Sequence, residues 1–158
     1  MAQIYIYSGP THSGKTSRLE TWIGKIQSID GILMPTIDNK RYIKYIHTGE
    51  VELLETDTNN PDLVQRIGNY RFENEVFQKA QNYLLDLIHK RLEWIIIDEV
   101  GFLELDGQGF EPAVSKVIQE VETKQNINLL LVIRDYLKDQ ILDFYKFDKE
   151  LVKDFQPE

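Results

Sequence analysis

Gly9, Gly14, Lys15 and Thr16 stand in the spacing G-x-x-x-x-G-K-T inside the stretch IYIYSGPTHSGKTSRLETWIGKI. Glycines at both ends of such a loop let the backbone close around an anion. Successive N–H groups then turn inward, and the positive end of the following helix lies behind them. On that reading the run from Gly9 through Pro10, Thr11, His12, Ser13 and Gly14 to Ser17 is a phosphate cradle. Lys15 reaches the β- and γ-phosphates of a nucleoside triphosphate, and the Thr16 hydroxyl ligates Mg²⁺. The plainer alternative is a glycine turn capped by a serine or threonine, so the flanking elements have to decide.

Asp98 and Glu99 supply the second half of the chemistry, because they stand where the apolar run WIIID ends. A carboxylate leaving a sheet at that point holds the Mg²⁺ shell opposite Thr16. The adjacent Glu99 is positioned to orient and deprotonate a water aimed at the γ-phosphorus, a need of hydrolases more than of kinases. A helix-capping or solvent-facing acid is the alternative. Arg134 closes the run LLLVI and should emerge at the same edge, where open α/β folds bind ligands. There a guanidinium either stabilises charge on the transferring phosphoryl group or pairs with Asp135 or a neighbouring helix. The expected catalytic set is Lys15, Glu99 and Arg134, with Thr16 and Asp98 on the metal. His12, His47 and His89 have no metal-ligand spacing. The aromatic residues fall mostly on helical or strand faces, so no base pocket is identified.

These residues need a particular frame, and the pattern provides one. QIYIYS reads as a buried strand, and Leu19, Trp22, Ile23 and Ile26 follow at helical spacing, so the glycine loop lies between strand and helix. GILMPTIDNKRYIKYIHTGEVELLET reads as a small meander of strands broken at DNK and TGE. A helix is predicted from Glu73 to Arg91, with Val76, Phe77, Ala80, Tyr83, Leu84, Leu87 and Ile88 on one face. EWIIIDE is a strand buried on both sides. A helix starts near Pro112, placed in its first turn, with Val114, Val117, Ile118 and Val121 inward. INLLLVIRD is another buried strand, residues 135 to 145 a further helix, and the acidic run DKELVKDFQPE a solvated last turn and tail. Strands alternating with helices imply a parallel sheet covered on both faces.

The composition narrows the partners. A chain of 158 residues without repeats or a Pro/Gly/Ser-rich linker is expected to form a single domain over residues 1–158. The absence of cysteine removes disulfides, thiolate zinc sites, iron–sulfur clusters and cysteine nucleophiles. A net charge of −8 repels polyanions, so extended nucleic-acid binding is not expected, whereas a nucleotide can be held locally. IYIY is too short for a secretory signal or a membrane span, and the chain reads as cytoplasmic.

With both phosphate elements placed, the sequence resembles small P-loop nucleoside-triphosphatases of the cancer-related nucleoside-triphosphatase type, a family with thermophilic members. IIIDEVGFLEL is similar to its Asp-Glu-Ile-Gly-Lys-Met-Glu-Leu signature, with agreement at Asp98, Glu99, Gly101, Glu104 and Leu105. IGNYRFENEVFQKA resembles its segment from a Gly-x-Tyr loop into a helix, matching at Tyr70 and Phe77, and LLLVIRDYLKDQI its late strand and helix. The resemblance implies an α/β, three-layer, RecA-like P-loop NTPase fold. In that fold a mostly parallel sheet has a strand between those carrying the phosphate loop and the acid pair, and a small antiparallel insertion follows the first helix. It also implies Mg²⁺-dependent hydrolysis of ATP, GTP or other nucleoside triphosphates to diphosphates with loose base preference. Three departures stand out: His12 replaces a glycine of the loop, Phe102 replaces the signature lysine, and the insertion is shorter and lacks an acid-rich start.

Two other functions fit parts of the pattern. GPTHSGKT also looks like the phosphate loop of the thymidine kinases with a zinc-binding lasso, but those enzymes use cysteines. GFLELDGQGFEPAV, after the acid pair, has no arginine to clamp a transferring phosphoryl group. A slow nucleotide-dependent switch acting on a protein partner is the other alternative.

Overall fold

The computed structural model describes residues 3–9, 14–124, 126–147 and 150–157. The chain runs β1 (Gln3–Gly9), α1 (Lys15–Ile23), β2 (Ile29–Leu33), β3 (Thr36–Ile37), β4 (Lys40–Tyr45), β5 (Val51–Leu53), β6 (Val64–Ile67) and β7 (Tyr70–Glu73). It continues with α2 (Asn74–Leu87), β8 (Trp94–Ile97), α3 (Phe102–Leu105), α4 (Ala113–Thr123), β9 (Asn128–Arg134), α5 (Lys138–Tyr145) and β10 (Val152–Asp154).

The main sheet has the order β10-β1-β9-β8-β2-β4-β3, with β5 also paired to β4. The strands from β10 to β2 pair in parallel, whereas β4 joins β2, β3 and β5 antiparallel. β9 therefore lies between the strand of the phosphate loop and the strand of the acid pair, as the resemblance implies.

The aliphatic runs of β8 and β9 are continuous because both faces are covered. Leu129, Leu131, Ile133, Ile95 and Ile97 point into the larger core with α2, α4 and α5. Leu130, Val132 and Ile96 point the other way, to Leu19 and Trp22 of α1 and to Phe155. This two-residue alternation separates helix layers on opposite sides of one sheet.

Several boundaries differ from the sequence-based expectation. The meander begins with β2, whose five residues are all buried and which pairs in parallel with β8, so only β3 to β5 form the antiparallel insertion. α2 is shorter than expected. Glu73 still belongs to β7, its N–H donating to the Leu54 carbonyl, and Lys90 and Arg91 lie past the helix in an exposed turn. Pro112 is the residue before α4 rather than part of its first turn. The final helix is preceded by a 3₁₀ turn at Asp135–Leu137.

The C-terminal run is a correction. It is not a solvated tail: Val152–Asp154 pair in parallel with Ile4 to Ile6, and Phe155 is 8% exposed. Acidic content masked a short strand whose anchoring side chain lies just beyond it. The hairpin of β6 and β7 was likewise not anticipated. Among the described residues, no helix is long and apolar enough to cross a membrane.

Candidate active site

Strand register brings the candidate residues to one edge. Gly9 pairs with Arg134 across β1 and β9, and Ile97 pairs with Leu131 across β8 and β9, so Asp98 and Glu99 emerge beside them. The sheet order then places Met34, after β2, and Arg41, on β4, on the far side of the acid pair from the phosphate loop.

Gly14 precedes α1 with φ 81° and ψ 21°, in the left-handed region. Among the described residues nothing lies within 4 Å of an added Cβ, and the left-handed dihedral itself favours glycine here. Lys15 is 7% exposed, and its Nζ donates to the Gly9 carbonyl at 3.0 Å, across the mouth of the loop. Ser17 is exposed. Pro10, Thr11, His12 and Ser13 lie outside the described residues.

The Thr16 hydroxyl donates to Asp98 Oδ2 at 3.1 Å, and the Met34 N–H donates to the same oxygen at 3.0 Å. Asp98 Oδ1 is buried with no hydrogen-bond partner among the described residues. Burial, followed by the charge of Glu99, pushes the Asp98 carboxyl up to about 6, while the Met34 N–H, the Thr16 hydroxyl and Arg41 pull it down. A buried carboxyl with one oxygen saturated and the other bare suits a hard cation or its water shell. The residues fit Mg²⁺, since two oxygen-bearing side chains converge there. Mg²⁺ is commonly held by one or two protein ligands together with substrate phosphates.

Glu99 has φ 57°, a left-handed backbone that costs a non-glycine residue about 1–2 kcal/mol. Its carboxylate lies between two guanidinium groups. Arg41 Nη1 is 3.3 Å from Oε1, and Arg134 Nε is 3.5 Å from Oε2. Arg134 thus pairs with Glu99, and it also donates to the Tyr136 hydroxyl at 3.1 Å. Burial works against the Arg134 charge, but the Tyr136 hydrogen bond and Glu99 outweigh it and raise its pKa. Arg41 was missed by sequence reasoning. Its side chain also donates to the Met34 carbonyl at 3.3 Å, and its N–H to Glu55 Oε1 at 2.8 Å, which fixes β4 against the site.

Beyond Glu99 lies a cavity of about 420 Å³. Arg41, Glu99 and Arg134 line it, together with apolar walls that include Tyr70, Phe72 and Phe110. Phe102, which replaces the signature lysine, also lines it, its ring 6.1 Å from that of Tyr136.

Glu104 plays a different part. It is 2% exposed, with Oε1 accepting the Gly101 N–H at 2.7 Å and Oε2 the Phe110 N–H at 2.9 Å. Burial pushes its carboxyl up to about 7 against the pull of those two donors. Gly109 makes room for it, since a Cβ there would stand 2.0 Å from Oε2.

The family model described as NTPase matches residues 4–153. Among solved structures, the crystal structure of THEP1 from the hyperthermophile Aquifex aeolicus is similar with a TM-score of 0.70 and 15% identity, covering 98% of this chain and 89% of that one. The solution structure of a human cancer-related nucleoside triphosphatase is similar with a TM-score of 0.67 and 17% identity, covering 98% and 88%. At these identities the two structures establish the shared fold. No curated protein matches the sequence.

Proposed function

Because the chain belongs to the NTPase family, we propose that it hydrolyses nucleoside triphosphates to diphosphate and phosphate, in a Mg²⁺-dependent reaction with loose base preference. The observation that carries this reading is the Thr16–Asp98 contact of 3.1 Å, with Asp98 Oδ1 buried beside Glu99 and without a hydrogen-bond partner among the described residues. The loop amides and Lys15 bind the triphosphate, with the Lys15 ammonium offsetting charge on the β- and γ-phosphates. Thr16 and Asp98 would hold Mg²⁺, which when bound would supply charge neutralisation for the triphosphate.

Glu99 takes a proton from the attacking water. Its two arginine partners have an alternative anion in the γ-phosphate, so a bound triphosphate competes for them and frees the carboxylate to act as a base. Arg134, at the end of the strand between loop and acid pair, then offsets charge that develops on the transferring group.

The test is phosphate release with product identification across ATP, GTP, CTP, UTP and the deoxynucleotides, with and without Mg²⁺. Metal-dependent release of free phosphate from several bases is expected, with Lys15→Ala losing both binding and turnover. Parental turnover in Lys15→Ala would remove the phosphate-loop assignment.

A further inference from the structure

The cavity beside Glu99 is larger than an attacking water needs. At about 420 Å³ it falls in the range of small-molecule pockets, whereas one water occupies about 30 Å³. Its inner walls are dry, with Phe72, Phe77 and Phe110 exposed by 7%, 1% and 0%. Its mouth is aromatic: Tyr70 and Phe102 are 58% and 42% exposed. The charged lining groups are Arg41 and Arg134, both facing Glu99, together with the carboxyls of Glu55 and Glu104. With both guanidinium groups turned to Glu99 or to a bound γ-phosphate, an anionic guest would lose hydration and meet carboxyls rather than a counter-ion, while a flat uncharged one gains apolar contact.

The position of the cavity matters as much as its lining. The sheet order sets it across the acid pair from the phosphate loop, on the side of β2 and β4. An in-line nucleophile approaches the γ-phosphorus from the side opposite the leaving diphosphate. The segment after the acid pair lacks a clamping arginine, but Arg41 and Arg134 supply two guanidinium groups from β4 and β9 instead.

We propose that this cavity holds an uncharged, nucleoside-sized heteroaromatic alcohol, and that the protein transfers the γ-phosphoryl group of a bound nucleoside triphosphate to its hydroxyl. The hydroxyl proton passes to Glu99, an oxygen–phosphorus bond forms, and the bond between the γ-phosphorus and the β–γ bridging oxygen breaks. The products are a phosphomonoester and a nucleoside diphosphate, with no change in oxidation state. Hydrolysis is the same displacement with water when the cavity has no acceptor. The inference rests on triphosphate binding at the loop, as in the proposed function.

The full chain with Mg²⁺ and γ-labelled ATP tests it, using adenosine, guanosine, cytidine, uridine, thymidine and small hydroxymethyl-substituted pyrimidines and pyridines as acceptor probes. Label is expected in the phosphomonoester of at least one probe, with free phosphate falling as that probe saturates. Ile67 also lines the cavity, so Ile67→Trp, which puts a larger ring into it, and Tyr70→Ala, which removes part of its exposed wall, should each raise the acceptor KM at least tenfold. Acceptor-free hydrolysis should stay within twofold of the parent. Intact hydrolysis with label only in free phosphate for every probe overturns the inference and leaves the hydrolase reading standing. Transfer without acceptor-free hydrolysis does the reverse, and loss of both removes both. Transfer insensitive to both variants would take the acceptor out of this cavity.

Discussion

Asp98 and Glu104 are both buried carboxyls close in sequence, yet their surroundings prepare them for different ends. Each accepts two hydrogen bonds. At Asp98 both fall on Oδ2, leaving Oδ1 without a partner among the described residues, whereas at Glu104 each oxygen takes one backbone N–H. Asp98 sits among charges, with Glu99 and Arg41 acting on it and Arg134 paired to Glu99. Near Glu104 the charge of Glu111 adds to the push of burial, and the neighbouring amides are neutral and paired. Gln81 spans from the Gly109 carbonyl to the Ala113 N–H, and Gln65 accepts from the Gly109 N–H. Burial alone thus does not mark a reactive carboxyl; an unfilled oxygen does.

Substitutions can break this contrast. The largest effect is expected beside Asp98: Glu99→Gln keeps shape and hydrogen bonding but removes basicity, so phosphate release should fall by about 10²–10⁴-fold while nucleotide affinity persists. Steady-state release measured beside equilibrium nucleotide binding decides, and a parental rate would exclude Glu99 as the base. On the other side, Glu104→Ala leaves the Gly101 and Phe110 N–H groups without their acceptor. It should lower unfolding free energy by about 2–4 kcal/mol at pH 6 by urea titration. Turnover of the folded fraction should remain near parental, and a selective loss of kcat would move Glu104 into the reaction.

Asp98→Asn retains an acceptor for Thr16 and Met34 but weakens the metal site. The Mg²⁺ concentration for half-maximal turnover should rise by about 10–100-fold, with excess metal restoring part of the rate. The most gradual effect concerns pH. Glu104 has a folded-state value of about 7 against 4.5 for the free group, so the folded protein binds more protons between those values. Its contribution to stability is full below about 4.5 and is lost as pH rises through 7, with a slope approaching 1.4 kcal/mol per pH unit. Urea midpoints from pH 4.5 to 8 should show the wild type losing stability relative to Glu104→Gln across that window; parallel curves would mean that Glu104 does not titrate there.

The side of the molecule near β1, β8 and β9 was the more readable in sequence. Strands buried on both faces leave unbroken aliphatic runs, and such runs end abruptly, which exposes Asp98, Glu99 and Arg134 as strand-end residues. Arg41 has no such signature. It stands in a mixed polar and apolar strand, and its approach to Glu99 depends on the antiparallel pairing of β2 with β4. The Met34 N–H donor was equally hidden, because a backbone group looks the same at every non-proline position. At the other edge, β10 has too few apolar residues for periodicity to register, although Phe155 secures it.

That aromatic anchor gives the molecule a built-in optical gauge. The chain has two tryptophans, and Trp22 and Trp94 meet edge to face with ring centroids 4.9 Å apart, while Phe155 lies 4.9 Å from Trp22. Their emission therefore arises from a single joint, where the helix bearing Lys15 and Thr16 crosses the strand leading to Asp98 and the returning end of the chain. Indole excitation is shared over such a distance, so a small displacement of α1 changes both intensity and anisotropy without an attached dye. If a triphosphate seats at one end of that helix, as proposed, its arrival can thus be followed in real time from light emitted at the other.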